Sequence, residues 1–373
     1  MKRLVFLTGT RADYGKIKPL MKAVQATGLF KIEILVTGMH LLPQYGSTVG
    51  QVIEDALGEV HFLPNQVGEQ TMEVSLAKTI EQLSSFVSDH QVDLLIVHGD
   101  RIEALAGAIV GALRNIPTAH IEGGEVSGTV DGLIRHSVSK LCHVHFVSNE
   151  EAQNRLIQLG ENPNSIFVIG SPDIDIMLGD QLPSKQEVME RYDIPFNNYS
   201  ILIFHPVTTE VEKIEEQIQE VTRAIKNDTQ NYVIIKPNND NGSETIQRHL
   251  SQLKGERYVH IPSMRFEYFL TLLKESGSIV GNSSAGVREA PYYGVPTVNI
   301  GSRQQNRAAG PQIFNVAPVS SQITQGIEFA LKSTREVAYK FGRGNAANKF
   351  IEILISDEIW PIGTDKVFID VGN

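Results

Sequence analysis

The chain has 373 residues, 41% of them apolar and 20% charged, which excludes disorder and a collagen-like chain; at ~150 residues per domain the length predicts two domains. With 33 Lys and Arg against 43 Asp and Glu the formal charge is −10, and no basic run appears, so general nucleic-acid binding is excluded while one anionic small molecule in a locally positive pocket is not. One cysteine, Cys142, excludes a disulfide framework, no stretch approaches the ~18 uncharged apolar residues of a membrane span, and Arg11 and Asp13 close the N-terminal apolar run before a signal-peptide core could form; a cytoplasmic protein with no membrane partner is expected.

Short apolar runs then alternate with amphipathic stretches, the pattern of parallel α/β architecture. Leu4–Thr8 predicts a first strand ended by Gly9, a helix follows from about Asp13, and Ile32–Thr37 predicts the second strand. Leu94–His98 is another buried strand. Ala104–Leu113 is nearly all small and apolar, and a helix without a polar face must be covered on several sides. Thr118–Glu122, His143–Val147 and Ile166–Ile169 continue the alternation up to Gly170-Ser171-Pro172. Leu178–Asn198, with Pro183, Pro195, Asn197 and Asn198, is the expected linker and carries one short helix.

The alternation restarts at Ile201–Phe204, and Val211, Ile214, Ile218, Val221 and Ile225 form a helical stripe. Val233–Lys236, Ser278–Val280 and Pro296–Ile300 predict strands; Ile246–Leu253, Phe266–Leu273 and about Ala346–Ser356 predict helices. The expected fold is α/β, two Rossmann-like doubly wound domains facing a cleft, with ligands beyond the carboxyl ends of the strands. The expected domains are 1–178 and 179–355.

Four strand ends carry polar clusters. Gly9-Thr10-Arg11-Ala12-Asp13-Tyr14-Gly15-Lys16 is a glycine turn into a helix start with two cations nearby; it suits an anion, or is a turn capped by Asp13. His98-Gly99-Asp100-Arg101 follows a buried strand, and Asp100 either caps the next helix or does chemistry. His120-Ile121-Glu122-Gly123-Gly124-Glu125 leads through a Gly/Ser/Thr loop to Asp131, Arg135 and His136. Asp100, Glu122 and Asp131 gathered at one sheet end would repel one another, which lets a general acid and a general base coexist near neutral pH.

In the second half, Phe204-His205-Pro206-Val207-Thr208 and Lys236-Pro237-Asn238-Asn239-Asp240 follow strands, and Gly281-Asn282-Ser283-Ser284-Ala285-Gly286 is read as opening a helix. Small hydroxylated residues at a helix start supply what a pyrophosphate needs. Glu289 is then placed for a ribose hydroxyl pair, and Arg303 and Arg307 could neutralise phosphate. Cys142-His143-Val144-His145 looks metal-like, but its period of two fits a buried strand, and no second ligand pair has zinc spacing.

Together these motifs resemble the UDP-N-acetylglucosamine 2-epimerase family, and specifically its hydrolysing branch in bacterial sialic-acid and related nonulosonic-acid biosynthesis. The matching stretches are the Thr8–Lys16 turn, Val36-Thr37-Gly38-Met39-His40, His98–Arg101, His120–Thr129, Ile134-Arg135-His136-Ser137, Phe204–Thr208 and Gly281–Gly286. The resemblance implies the glycosyltransferase-B type of fold, with the tail 356–373 returning to the first domain. It implies elimination of UDP with loss of the C2 proton to give a 2-acetamidoglucal, then addition of water with inverted C2, releasing N-acetylmannosamine. Asp100, Glu122 and Asp131 become the acid and base candidates, and His205 a phosphate-side or leaving-group acid. Arg11, Lys16, Arg135, Ser283 and Ser284 would hold the pyrophosphate, and Asn238, Phe266 and Arg307 are further candidates for binding the UDP-sugar. Glu289 would hold the ribose, and the uracil would lie near Pro262–Phe266. No metal, no nicotinamide and no other cofactor is implied; the partners are a UDP-sugar substrate, the UDP product and further copies of the chain, as a dimer or tetramer. UDP-2,4-diacetamido-2,4,6-trideoxyglucose is the alternative substrate, and a non-hydrolysing epimerase the alternative reaction.

Overall fold

The computed structural model describes residues 1–42, 48–65, 71–127, 130–237, 242–304 and 310–370. It contains two compact units: Met1–Glu125 with Val130–Leu178 and Lys340–Asn373, and Val126–Thr129 with Gly179–Tyr339. In the first, a seven-stranded sheet is built from β1 (Lys2–Thr8), β2 (Phe30–Val36), β3 (Glu59–Phe62), β4 (Leu94–His98), β5 (Thr118–Ile121), β6 (Val144–Val147) and β7 (Ile166–Val168). In the second, six strands follow: β8 (Ser200–Ile203), β9 (Tyr232–Ile235), β10 (Tyr258–Ile261), β11 (Ser278–Gly281), β12 (Thr297–Ile300) and β13 (Ile313–Val316).

The spatial orders are 3-2-1-4-5-6-7 and 10-9-8-11-12-13. Every pairing is parallel. A parallel sheet covered by helices on both faces hides its central strands, so β4, β5 and β8 are buried at every residue. Both orders reverse direction once, between β1 and β4 and between β8 and β11. At such a switch point the loops beyond the strand ends part and leave a crevice.

The helix Ile102–Leu113 shows why its residues are so small. A Cβ on Gly107 would sit 2.5 Å from Val97 Cγ1, and one on Gly111 would sit 2.0 Å from Thr118 Oγ1, so the helix lies directly on β4 and β5. The helices Met72–Asp89 and Val130–Leu141 flank it. The first unit's core joins Leu4, Phe6, Ile34 and Phe146 to Phe350 and Leu354 of the helix Ala346–Ile355. The sequence reading starts the returning tail at 356; burial of these two side chains against the first sheet brings the whole helix back with it. The second core gathers Leu202, Ile218, Val221, Ile234 and Val280 around β8, and Ile214, Ile218, Val221 and Ile225 of the helical stripe are seated in it, while Val211 lies exposed in the 3₁₀ turn before the helix. No helix of the described residues is long and apolar enough to cross a membrane.

Candidate active site

The first unit's chemistry collects where β1, β4 and β5 end. At the close of β1, Thr10 caps the helix Arg11–Thr27 through a reciprocal box with Asp13. Asp13 accepts from Gly9 N at 3.0 Å and Thr10 N at 3.2 Å. These amides are engaged by the capping carboxylate, and Arg11 beside them is half-buried.

Asp100 does not cap the following helix; its N-cap position is Arg101, with no side-chain cap. Instead Asp100 pairs with Arg135, whose side chain is 6% exposed against 25% for Asp100. Arg135 also donates to the backbone oxygen of Glu122 at 2.6 Å. One guanidinium therefore ties the end of β4 to the end of β5, using the planar fork that lets arginine serve two acceptors. The structure places this cation between Asp100 and the backbone of Glu122.

Glu122 itself is 2% exposed. Its backbone adopts φ +60°, a left-handed conformation that a non-glycine residue holds at a cost of order 1 kcal/mol and that clusters at functional sites. Glu122 N donates to Phe146 O at 2.9 Å, locking the turn onto β6. Its Oε2 lies 3.3 Å from His98 Nε2, and its Oε1 accepts from the buried Ser171 hydroxyl. Ser171 is also 2.5 Å from Asp173 Oδ1, and Lys16 Nζ sits 3.1 Å from Asp173 Oδ2. Lys16, expected at a phosphate, is thus engaged with Asp173 because that buried carboxylate needs a counter-ion.

Asp131 lies half-buried in the first turn of the helix Val130–Leu141, which also carries Arg135. Arg101 stands within electrostatic reach of Glu103, Asp13, Asp100 and Asp131. Its signal was visible in the sequence: a cation inside the strand-end motif that holds Asp100. Behind the site, His120 bridges Gly99 O at 2.8 Å and Ser139 Oγ at 2.9 Å, and burial pushes its imidazole well below the ordinary range. It is a neutral strut beneath the Asp100 turn. Burial likewise pulls His143 and His145 down and the Cys142 thiol up. His145 lies 3.0 Å from Glu161, and His143 Nδ1 accepts from Thr118 N. The metal-like stretch is internal packing.

In the second unit the switch point joins β8 to β11. Asn282, 1% exposed, accepts from His205 N at 2.7 Å and donates to His205 O at 2.9 Å, so its carboxamide sets the backbone of His205. Gly281 has φ +135°, and a Cβ there would meet Ile203 O at 1.8 Å, so only glycine makes this turn. The following stretch differs from expectation. Ser284–Gly286 and Ala290–Tyr293 are short 3₁₀ turns, not an α-helix. The cause is local: Ser283 caps the first turn by accepting from Ala285 N, while Pro291 stands in the first positions of the second and Gly294 ends it.

Ser283 and Ser284 are half-buried and Glu289 is buried. Phe266 opens the helix Phe266–Glu275. A cavity of about 540 Å³ lies at the ends of β12 and β13; its described lining includes Gln304, which donates to Asn282 O at 3.1 Å, and none of the three carboxylates. Asn238 and Arg307 lie outside the described residues.

Two parallel α/β units with polar strand ends at each switch point define a fold of the two-Rossmann, glycosyltransferase-B type. The chain belongs to the UDP-N-acetylglucosamine 2-epimerase family, whose model matches residues 22–355. It is 42% identical to a UDP-N-acetylglucosamine 2-epimerase of Neisseria meningitidis over 100% of both chains. It is 32% identical to a UDP-N,N'-diacetylbacillosamine 2-epimerase (hydrolyzing) of Legionella pneumophila, over 95% of this chain and 96% of the other. A crystal structure of UDP-GlcNAc 2-epimerase from Neisseria meningitidis bound to UDP-GlcNAc superposes with a TM-score of 0.80 at 22% identity, covering 95% of this chain and 100% of that one. At that identity the superposition speaks for the fold.

Proposed function

We propose that the chain is a hydrolysing 2-epimerase that converts UDP-N-acetylglucosamine and water to N-acetylmannosamine and UDP. The observation that carries the reading is the pair of differently housed carboxyl groups at adjacent strand ends. Asp100 is part-exposed and ion-paired to Arg135, while Glu122 is buried against His98 and Ser171. Two carboxyl groups in such unlike surroundings favour opposite protonation states, the condition for an acid and a base in one site. With Asp131 they supply the proton traffic the reaction needs.

In elimination, one carboxylate removes the C2 proton. The C1–O bond breaks with its electron pair passing to the UDP oxygen, leaving a C1=C2 double bond. In hydration, an acid returns a proton to C2 on the opposite face and water closes on C1. His205, held by Asn282, serves the departing phosphate. Ser283, Ser284 and Glu289 serve the nucleotide, the two serines at the pyrophosphate and Glu289 at the ribose, with the uracil near Phe266. The relatives named as 2-epimerases support the reaction, and the relative named as hydrolysing supports release of the free sugar.

That same relative favours a second reading, the identical chemistry on UDP-2,4-diacetamido-2,4,6-trideoxyglucose. NMR of the products from both UDP-sugars in deuterated water decides between them. Free 2-epimerised sugar carrying deuterium at C2, with one UDP per turnover, is the expected result. A product that retains UDP would make the enzyme non-hydrolysing, and a product without deuterium would remove the elimination.

A further inference from the structure

Glu103 is a carboxyl group at the first unit's strand ends that no step above uses. It stands in the first turn of the helix Ile102–Leu113 and is 2% exposed. A carboxylate this deep is costly unless it is paired and hydrogen-bonded. Its counter-ion among the described residues is Arg101, whose Nε lies 3.4 Å from Oε2. Oε1 is buried and takes no hydrogen bond among those residues. The chain nevertheless leaves room for this group in two other turns. A Cβ on Gly38 would sit 2.6 Å from Glu103 Oε1, and one on Gly9 would sit 2.7 Å from its Cδ. Gly38 also turns at φ +59°, which by itself favours glycine. Gly9 does not, and the three atoms nearest to its Cβ would all belong to Glu103. The carboxyl is therefore wedged where the turns after β1, β2 and β4 meet.

The use of this wedge lies in Arg101. Its side chain is 44% exposed against 2% for Glu103, so the pair ties a buried anchor to a cation on the open side of the turn. The guanidinium lies 4.0 Å from Met39 Sδ and within electrostatic reach of Asp13, Asp100 and Asp131. A long exposed side chain loses rotamer freedom when it is held in one pose, and a charged bond to a fixed acceptor can hold it there. We propose that Glu103 is a positioning residue that fixes the Arg101 guanidinium beside Asp100 and Asp131, and that Gly9 lacks a side chain so that the Glu103 carboxyl fits. This rests on the acid and base reading above and deepens it by naming what sets the charge around two of the three carboxylates.

The test measures kcat, on whichever UDP-sugar is turned over, and the Trp360 unfolding transition for E103Q, R101M and the double variant, with G9A, E103A and their combination alongside. Residues that act through each other are non-additive. E103Q is expected to lower kcat at least ~10-fold, R101M at least as much, and E103Q less than ~2-fold further once Arg101 is gone. R101M strands a buried charge and should lower the unfolding midpoint; adding E103Q removes that charge and should raise it again. A folded E103Q or R101M with native kcat overturns the proposal, as do equal losses from E103Q in both backgrounds or a double variant less stable than R101M. Should R101M not fold, kcat of E103Q and the Gly9 pair carry the test. G9A should cost at least ~10-fold in the native background and less than ~2-fold in E103A; equal losses overturn the wedge. If D100N keeps full turnover, the acid and base reading fails, while the cycle still reports on the Glu103–Arg101 pair.

Discussion

Replacing Arg135 by methionine separates two jobs that a guanidinium at this place could do. As a phosphate ligand, Arg135 would matter for UDP affinity; as the tie between Asp100 and Glu122, it matters for stability and turnover. The structure sets the size of the second effect. Glu122 O loses a donor inside a residue 2% exposed, and an orphaned buried acceptor costs about 1–3 kcal/mol. Asp100 loses its ion pair but keeps a side chain 25% exposed, so water recovers part of the loss and about 1 kcal/mol is left. The first unit should therefore lose about 2–4 kcal/mol. The chain's single tryptophan, Trp360, stacks on Phe30 in that unit, so its fluorescence reports the first unit's denaturant transition. With both carboxylates free to drift, kcat should fall at least ~10²-fold, while calorimetry finds UDP affinity within about threefold of native, a change under ~1 kcal/mol. Arg135→Lys offers one point charge for two acceptors and should recover less than half of the stability. A variant that stays fully stable yet binds UDP tenfold more weakly would refute the tie and return Arg135 to the phosphate.

The first unit should also be acid-labile, because burial pulls His40, His120, His143 and His145 below their ordinary value of 6.5. Unfolded, each takes a proton more readily than folded, so stability drops as pH falls through that value; an unfolding midpoint of Trp360 fluorescence that stays unchanged on acidification would refute this. Lys366→Met removes the ammonium that donates to Ser139 O, Lys140 O and Cys142 O and pairs with Glu161, and should cost the same transition about 2–4 kcal/mol without changing UDP binding. Gly281→Ala drives a Cβ to 1.8 Å from Ile203 O and should weaken UDP binding at least tenfold, about 1.4 kcal/mol or more; native affinity in a folded variant would remove the nucleotide from this turn.

What could be read in advance follows from how parallel sheets bury their strands. Central strands such as Leu94–His98 are apolar at every position, so both the run and the polar residues that end it, Gly99 and Asp100, stand out in one dimension. Edge strands are half-covered and lose that contrast. Glu59–Phe62, Tyr258–Ile261 and Ile313–Val316, three sheet edges, have few fully buried positions and were not foreseen. The same logic divides the site. Asp100, Glu122 and His205 were legible because each sits within two residues of a strand end, where topology alone sends chemistry. Their partners were not, because a side-chain tie has no sequence period. Ser171 lies 49 residues from Glu122 and Arg135 lies 35 from Asp100. Those separations also explain why Lys16 and Arg135 were assigned to phosphate: a basic residue near a glycine turn has two destinations, a ligand or a buried carboxylate, and only the folded chain shows that Asp173 and Asp100 are already within reach. The candidate residues are thus set by where strands end, while the surroundings of each are set by neighbours the fold brings from far along the chain. For Glu122 those neighbours include the Ser171 hydroxyl and the His98 ring.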